Sequence, residues 1–357
     1  MEAKGLFNVA RKEFIDHLTS RKFILILALF LIISAVAMHQ GVGDYNQRLE
    51  NYKEYISQTE GEEEEEEGPH RVLRKPSILL IFQRMSFLMA IFGAVLGITM
   101  GFDLITREKE SRSLKSLLSH PVYRDEIING KAVGGILALT FAMGIALIIL
   151  FAMLLILSIV PNLDEFWRIV LFGAVTILFL PTYFSIALMA STVSKDSGRA
   201  LMYALIITLV ISLGVPLVGG IISESVVGEP PEPPEIRYQN VIPQGANEDE
   251  SGEVPGRWVP IIDEEQERWE EEIRAYWKKR RAIEDAIITF SPVSYLEVSL
   301  VVLYSGTDVI AGSGYSSALS VSEDVLEKIW KNIFAFLIFP VVFFAIAYVK
   351  FMRMDIR

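Results

Sequence analysis

The chain has 357 residues, is 52% hydrophobic, and carries a formal net charge of −11 from 33 Lys and Arg against 44 Asp and Glu. It contains no cysteine, which excludes disulfide frameworks, zinc–thiolate sites and thiol nucleophiles. Its four histidines, His17, His39, His70 and His120, have no partner at i+3 or i+4 and fit no H-E-x-x-H pattern, so zinc-hydrolase chemistry has no support and each reads as a surface or interface residue.

The apolar residues are gathered into long uninterrupted runs, the signature of a polytopic membrane protein. Residues 1–22 come first. Phe7, Ala10, Phe14 and Leu18 recur at helical spacing beside Lys4, Arg11, Lys12, Arg21 and Lys22, which predicts an amphipathic helix lying on the membrane. A signal-peptide n-region is the alternative, because Ala35 and Ala37 resemble a cleavage site. The first span covers 23–39, and an acidic external loop covers 40–76, with an unbroken glutamate run at 62–67 that like-charge repulsion keeps solvated.

Four further spans lie within 77–222, at about 86–102, 132–160, 169–193 and 200–222. Arg84 reads as an interfacial anchor or a pore residue. Gly134, Gly135, Ala138, Ala142 and Gly144 make one surface of the third span small enough for close helix packing. Residues 161–167 and 195–199 read as turns. The fourth, fifth and sixth spans carry Pro181, Pro216 and Pro340, either as hinges or as the ordinary prolines of membrane helices.

Residues 223–331 form a sizeable polar region before the sixth span and tail at 332–357. Within it, prolines at 230, 231, 233 and 234 predict an extended linker, and 263–288 predicts a helix with Trp269, Ile273, Tyr276 or Trp277, and Ile283 on its apolar face. Residues 292–304 are apolar but too short to span, and fit an interfacial or re-entrant element or a strand. The fold class is therefore an all-α polytopic membrane protein with six transmembrane helices, an N-terminal interfacial helix, and an extracytoplasmic region between helices five and six.

Segments 1–22, 103–131, 194–199 and 350–357 hold 16 of the 33 Lys and Arg in a small part of the length. The positive-inside rule puts them, and both termini, in the cytoplasm of a multi-pass plasma-membrane protein. They hold only 10 of the 44 acids, so the opposite face is strongly acidic.

The charged island at 103–131 is the most informative stretch. Leu114, Leu117 and Leu118 fall at i, i+3 and i+4, so they share one face of a short helix that Pro121 ends. That helix suits docking on another protein, or the leucines rest on the bilayer. No phosphate-binding loop and no nucleophile elbow occurs anywhere in the chain.

The same island resembles the loop between helices two and three of ABC-2-type transporter permeases. Glu108, Ser113, Leu114, Leu117, Leu118, Pro121, Val122, Arg124, Glu126, Gly130 and Lys131 match that pattern, while Arg112 stands where glycine is usual and Lys109 where arginine is. The resemblance implies a permease subunit of an ATP-driven exporter, paired with a second permease as a homodimer or heterodimer in the lipid bilayer. It implies no enzyme activity and no cofactor in this chain: ATP and Mg belong to a separate ABC ATPase subunit. It further implies a coupling helix docked on that ATPase, with Glu108, Glu110, Ser113, Leu114, Leu117, Leu118, Pro121, Arg124 and Lys131 at the interface, Glu108 and Arg124 orienting the loop by ion pairs. A membrane protein that acts mechanically on an external partner without transport is the alternative, and an intramembrane enzyme has the least support. Nucleic acid is not an expected partner, and the cargo is not encoded in any motif.

Overall fold

A computed structural model describes residues 3–59, 76–112, 123–234, 238–241, 257–260, 264–289, 291–303 and 325–354. The elements are α1 (Ala3–Thr19), α2 (Arg21–Thr59), α3 (Leu79–Gly101), α4 (Thr106–Glu110), α5 (Arg124–Ile156), α6 (Leu163–Val193) and α7 (Ser197–Leu209), a π turn at Val210–Gly214, and α8 (Val215–Val227). They continue with β1 (Tyr238–Val241), β2 (Arg257–Pro260), α9 (Glu264–Thr289), a 3-10 turn at Pro292–Ser294, α10 (Tyr295–Leu303) and α11 (Val325–Met352). Among the described residues six helical stretches are long and apolar enough to cross a membrane. The chain is thus an all-helical polytopic membrane protein apart from one short antiparallel pair, β1 with β2, in which Tyr238 faces Pro260.

The chain divides into two compact units, residues 1–213 with 289–357, and residues 214–288. In the first unit α6 is the centre, and 67% of its most apolar stretch is buried. It can be approached closely because its neighbours present glycine. A Cβ on Gly101 of α3 would lie 2.6 Å from the Phe184 carbonyl oxygen, and one on Gly97 3.0 Å from the Phe184 nitrogen. Gly135 of α5 receives the Phe184 ring in the same way. Phe179 of α6 stacks on Tyr295 of α10 with ring centroids 4.1 Å apart, and the Tyr295 hydroxyl meets Thr176 Oγ1 at 2.8 Å. The predicted interfacial or re-entrant element at 292–304 is therefore, over its described residues, a helix lodged against α3 and α6, with the buried Tyr295 hydroxyl satisfied.

Several boundaries differ from the sequence reading. The first span does not end at 39, because α2 runs on to Thr59. Met38, Val42, Tyr45 and Leu49 continue its apolar stripe and pack on the core beside α3, so residues 40–59 are helix rather than loop. Arg84 lies between the two helices, paired with Asp44 at 2.6 Å. The expected turn at 161–167 is cut short by a reciprocal cap that starts α6 at Leu163: Asn162 Oδ1 accepts from the Glu165 amide at 2.9 Å, and Glu165 Oε2 accepts from the Asn162 amide at 3.0 Å. The fifth span starts at Ser197, where Asp196 accepts from the Arg199 amide at 2.8 Å. Pro181 and Pro340 sit inside continuous helices, whereas Pro216 is in the first turn of α8, just beyond the π turn at Val210–Gly214, where a proline is tolerated.

The predicted apolar face of α1 holds except at its first residue. Ala10 is buried and Phe14 and Leu18 pack on the core, but Phe7 is exposed. Gly130 and Gly134 of α5 explain this. A Cβ on Gly130 would collide with Val9, and one on Gly134 would lie 2.7 Å from the Ala10 carbonyl oxygen. α1 is thus docked on the start of α5 and leaves Phe7 exposed.

In the second unit α9 matches the predicted helix closely. Tyr276 rather than Trp277 faces inward. Three hydrogen bonds tie α9 to α8 and to the linker after it: Ser223 Oγ to Glu284 Oε1 at 2.8 Å, Tyr276 hydroxyl to the Gly228 carbonyl at 3.1 Å, and Trp269 Nε1 to the Pro231 carbonyl at 3.2 Å. Gly228 closes α8 with φ +82°, a conformation glycine adopts without a Cβ penalty. Residues 228–234 form neither helix nor strand, in keeping with the expected extended linker.

Candidate functional site

The charged island splits into two described flanks, 103–112 and 123–131, around residues 113–122, which lie outside the described residues together with Ser113, Leu114, Leu117, Leu118 and Pro121. Each flank is tied to the ends of helices that are distant in sequence.

On the leading flank, Asp103 pairs with Lys22 at the start of α2 at 2.7 Å. Lys109 Nζ donates to the carbonyls of Ser191, Thr192 and Ser194 at 3.1, 2.8 and 2.9 Å. Those carbonyls close α6, where acceptors have no partner within the helix and the dipole is negative, so an ammonium there is doubly suited. Ser191 Oγ in turn accepts from the amides of Ile105 and Thr106 at 3.0 and 3.1 Å. Glu110 Oε1 accepts from the Ser197 amide at the start of α7 at 2.6 Å, a carboxylate at a positive helix end. Ser111 follows α4, and Arg112 after it has φ 56°. This left-handed turn is the conformation that glycine, usual at this position in ABC-2-type permeases, takes without strain.

On the trailing flank, Arg124 Nη1 donates to the carbonyls of Met352 and Met354 at 3.3 and 3.0 Å and so closes α11. Glu126 folds back to accept from the Tyr123 amide at 3.0 Å and starts α5. Lys131 is 2% exposed and holds two carboxylates, Glu13 of α1 at 2.5 Å and Glu108 of α4 at 2.7 Å. This buried triad joins the N-terminal helix, the leading flank and the third span in one contact.

The sequence-predicted interface residues therefore divide. Lys131 is buried in a link internal to the bundle, and Glu108 is bound to it. Glu110 and Arg124 close neighbouring helix ends. Arg124 meets backbone carbonyls where a carboxylate was expected, because the exposed end of α11 lies within its reach. Sequence reasoning missed Glu13, Lys109 and Ser191. Gly130 and Gly134 flank Lys131 at helical spacing and were the one signal that a helix docks there. Nothing in the sequence linked Lys131 with Glu13.

His17 stands one turn along α1 from Glu13, with Nε2 buried and no hydrogen-bond partner among the described residues. Burial pushes its pKa below the ordinary 6.5, and Lys131 acts in the same direction; Glu13, Asp103 and Asp16 oppose them without prevailing. A histidine held neutral in the docked state stabilises docking fully above pH 6.5, and that contribution is lost as pH falls through and below it. Backbone amides of α1, corrected for intrinsic exchange, are expected to exchange faster at about pH 5.5 than at about pH 7.5. His17→Gln should remove most of that difference; equal pH dependence in both proteins would rule out His17 as its source.

No metal-binding cluster of His, Asp and Glu occurs among the described residues. What the arrangement offers is a mechanical junction: five segments distant in the chain converge on the two flanks of 113–122, and small residues fasten α1 to α5 beside them. A family model for ABC-2 family transporter proteins matches residues 7–356. No curated protein matches the chain. With nearly its whole length covered by that match, the chain belongs to the ABC-2 family of transporter proteins.

Proposed function

We propose that this chain is the membrane subunit of an ATP-driven exporter, and that residues 103–131 receive work from a separate ABC ATPase subunit. The observation that carries the reading is the tethering of both flanks of residues 113–122. Lys109 and Glu110 hold the ends of α6 and the start of α7, Arg124 holds the end of α11, and Lys131 holds α1. A force applied to Leu114, Leu117 and Leu118 would pass through these contacts into three spans and the N-terminal helix at once. The ATPase would supply the phosphate-binding loop that this sequence lacks, and with it ATP and Mg. A second permease would complete the complex, with this end of the bundle and both termini on the cytoplasmic side of the plasma membrane.

The test is ATP hydrolysis in proteoliposomes holding the chain and its copurified ATPase. Hydrolysis should require the ATPase and should be accompanied by movement of the ligand that mass spectrometry finds bound to the purified complex. Hydrolysis without any flux would favour mechanical action on an external partner instead. Hydrolysis by the isolated chain would overturn the proposal.

A further inference from the structure

Two of the three prolines in the spans lie in α6 and α11, which pack along one another. Phe179 of α6 meets Phe336 of α11 with ring centroids 6.2 Å apart. From that contact both helices run toward the 103–131 junction, and both soon reach a proline: Pro181 two residues beyond Phe179, and Pro340 four beyond Phe336. At 1.5 Å of rise per residue the two prolines stand within about 3 Å of the same depth. Neither ring carries an N–H, so the carbonyls four residues back, Ile177 and Phe336, lose their helical donor at that depth in both helices.

Clamps lie on either side of that depth. Away from the junction α6 is fixed to α10: Phe179 stacks on Tyr295, Thr176 Oγ1 meets the Tyr295 hydroxyl, and Arg168 Nη1 donates to the Val302 carbonyl at 3.3 Å. At the junction Lys109 holds the end of α6, and Arg124 holds the end of α11. Lys350 of α11 lies within electrostatic reach of Lys109, so the two held ends are neighbours. Between the clamps Ser185 Oγ donates to the Thr182 carbonyl at 2.8 Å, the kind of side-chain bond that bends a helix. Thr182 Oγ1 is buried without a partner among the described residues, a donor that a second arrangement can give to a carbonyl the prolines leave free.

We propose that Pro181 and Pro340 form one paired hinge, about which the junction-side halves of α6 and α11 swing together. Two packed helices that are clamped at both ends and weakened at one shared depth yield there first. Each half is about 18 Å long, so a bend of about 20° at the prolines carries its end roughly 6 Å. The hinge is the route by which movement of the junction enters the spans, and in that role it rests on the proposed function. Its existence does not, and it is measurable on the chain without any ATPase.

The sequence has no cysteine, so spin labels can be attached at chosen sites. Val193→Cys and Val349→Cys label the junction-side halves of α6 and α11, and Leu137→Cys labels α5, a span without proline; all three side chains are exposed. In the full-length chain in liposomes, pulsed electron paramagnetic resonance should give distributions about 6 Å wide for both the 137–193 and the 137–349 distance. Pro181→Ala alone should narrow both by at least roughly twofold, because the pair bends as one. Pro181→Gly should leave both broad, because glycine keeps the helix interior pliable. Alanine restores the missing N–H, so its unfolding midpoint in detergent should be no lower than the parent's. Parent distributions as narrow as those of the Pro181→Ala, Pro340→Ala double variant would overturn the hinge. Narrowing of the 137–193 distance alone in Pro181→Ala would overturn the pairing. Wider distributions with a lowered midpoint in the alanine variants would make the prolines packing residues and sink the proposal as well.

Discussion

Lys131→Met is expected to cost about 3–5 kcal/mol of stability, the usual penalty for removing one partner of a buried ion pair. The side chain is 2% exposed and sits between the carboxylates of Glu13 and Glu108. Methionine keeps most of the volume, so the loss is electrostatic: two carboxylates would face each other out of water without a counter-charge. They would respond by taking up a proton or by letting α1 swing away, and both routes weaken the docking of α1 on α5. Thermal unfolding in detergent should show a lowered midpoint, and hydrogen exchange should place the loss in α1 and the first turns of α5. Adding Glu13→Gln should recover part of the stability, because a neutral amide no longer needs the ammonium. An unchanged midpoint in Lys131→Met would mean that the triad contributes nothing to holding α1.

The spans were legible in the sequence because lipid imposes one rule along the whole length of a crossing helix, and apolar runs record it directly. Where helices end was less legible, because water permits a helix to continue whenever a neighbour rewards it. α2 passes 39 since Val42 and Tyr45 find α3, and α6 starts early since Asn162 and Glu165 cap each other. Phe7 of α1 was misread for a related reason. Periodicity gave it the same weight as Ala10, Phe14 and Leu18, but the face that docks is the one that fits over Gly130 and Gly134, and fit depends on the partner surface. The charged island stood out in the sequence as the candidate docking stretch, whereas the partner of each charge did not. Lys131 and Glu13 stand 118 positions apart, and Lys109 meets backbone carbonyls, which carry no sequence identity at all. Arg112 was the exception: a departure from the glycine usual in related permeases marked the residue that turns out to hold a left-handed turn.

Leu117→Asp should abolish association with the ATPase subunit, weakening it by at least roughly tenfold, because a carboxylate at the centre of an apolar contact must be desolvated without a partner. Residues 114, 117 and 118 form the apolar face that the sequence offers, and the described flanks on either side are occupied with helix ends inside the bundle. On the proposed function, the docking energy comes from the segment between them. Coexpression of both subunits followed by affinity capture on the ATPase measures this directly. The Lys131→Met, Glu13→Gln protein is the informative comparison, since its change lies in a buried link. That protein should still be captured while transmitting less of the ATPase's work, whereas Leu117→Asp should fold and insert but escape capture. Undiminished capture of Leu117→Asp would take Leu117 out of the contact and move the docking surface to other residues of the island.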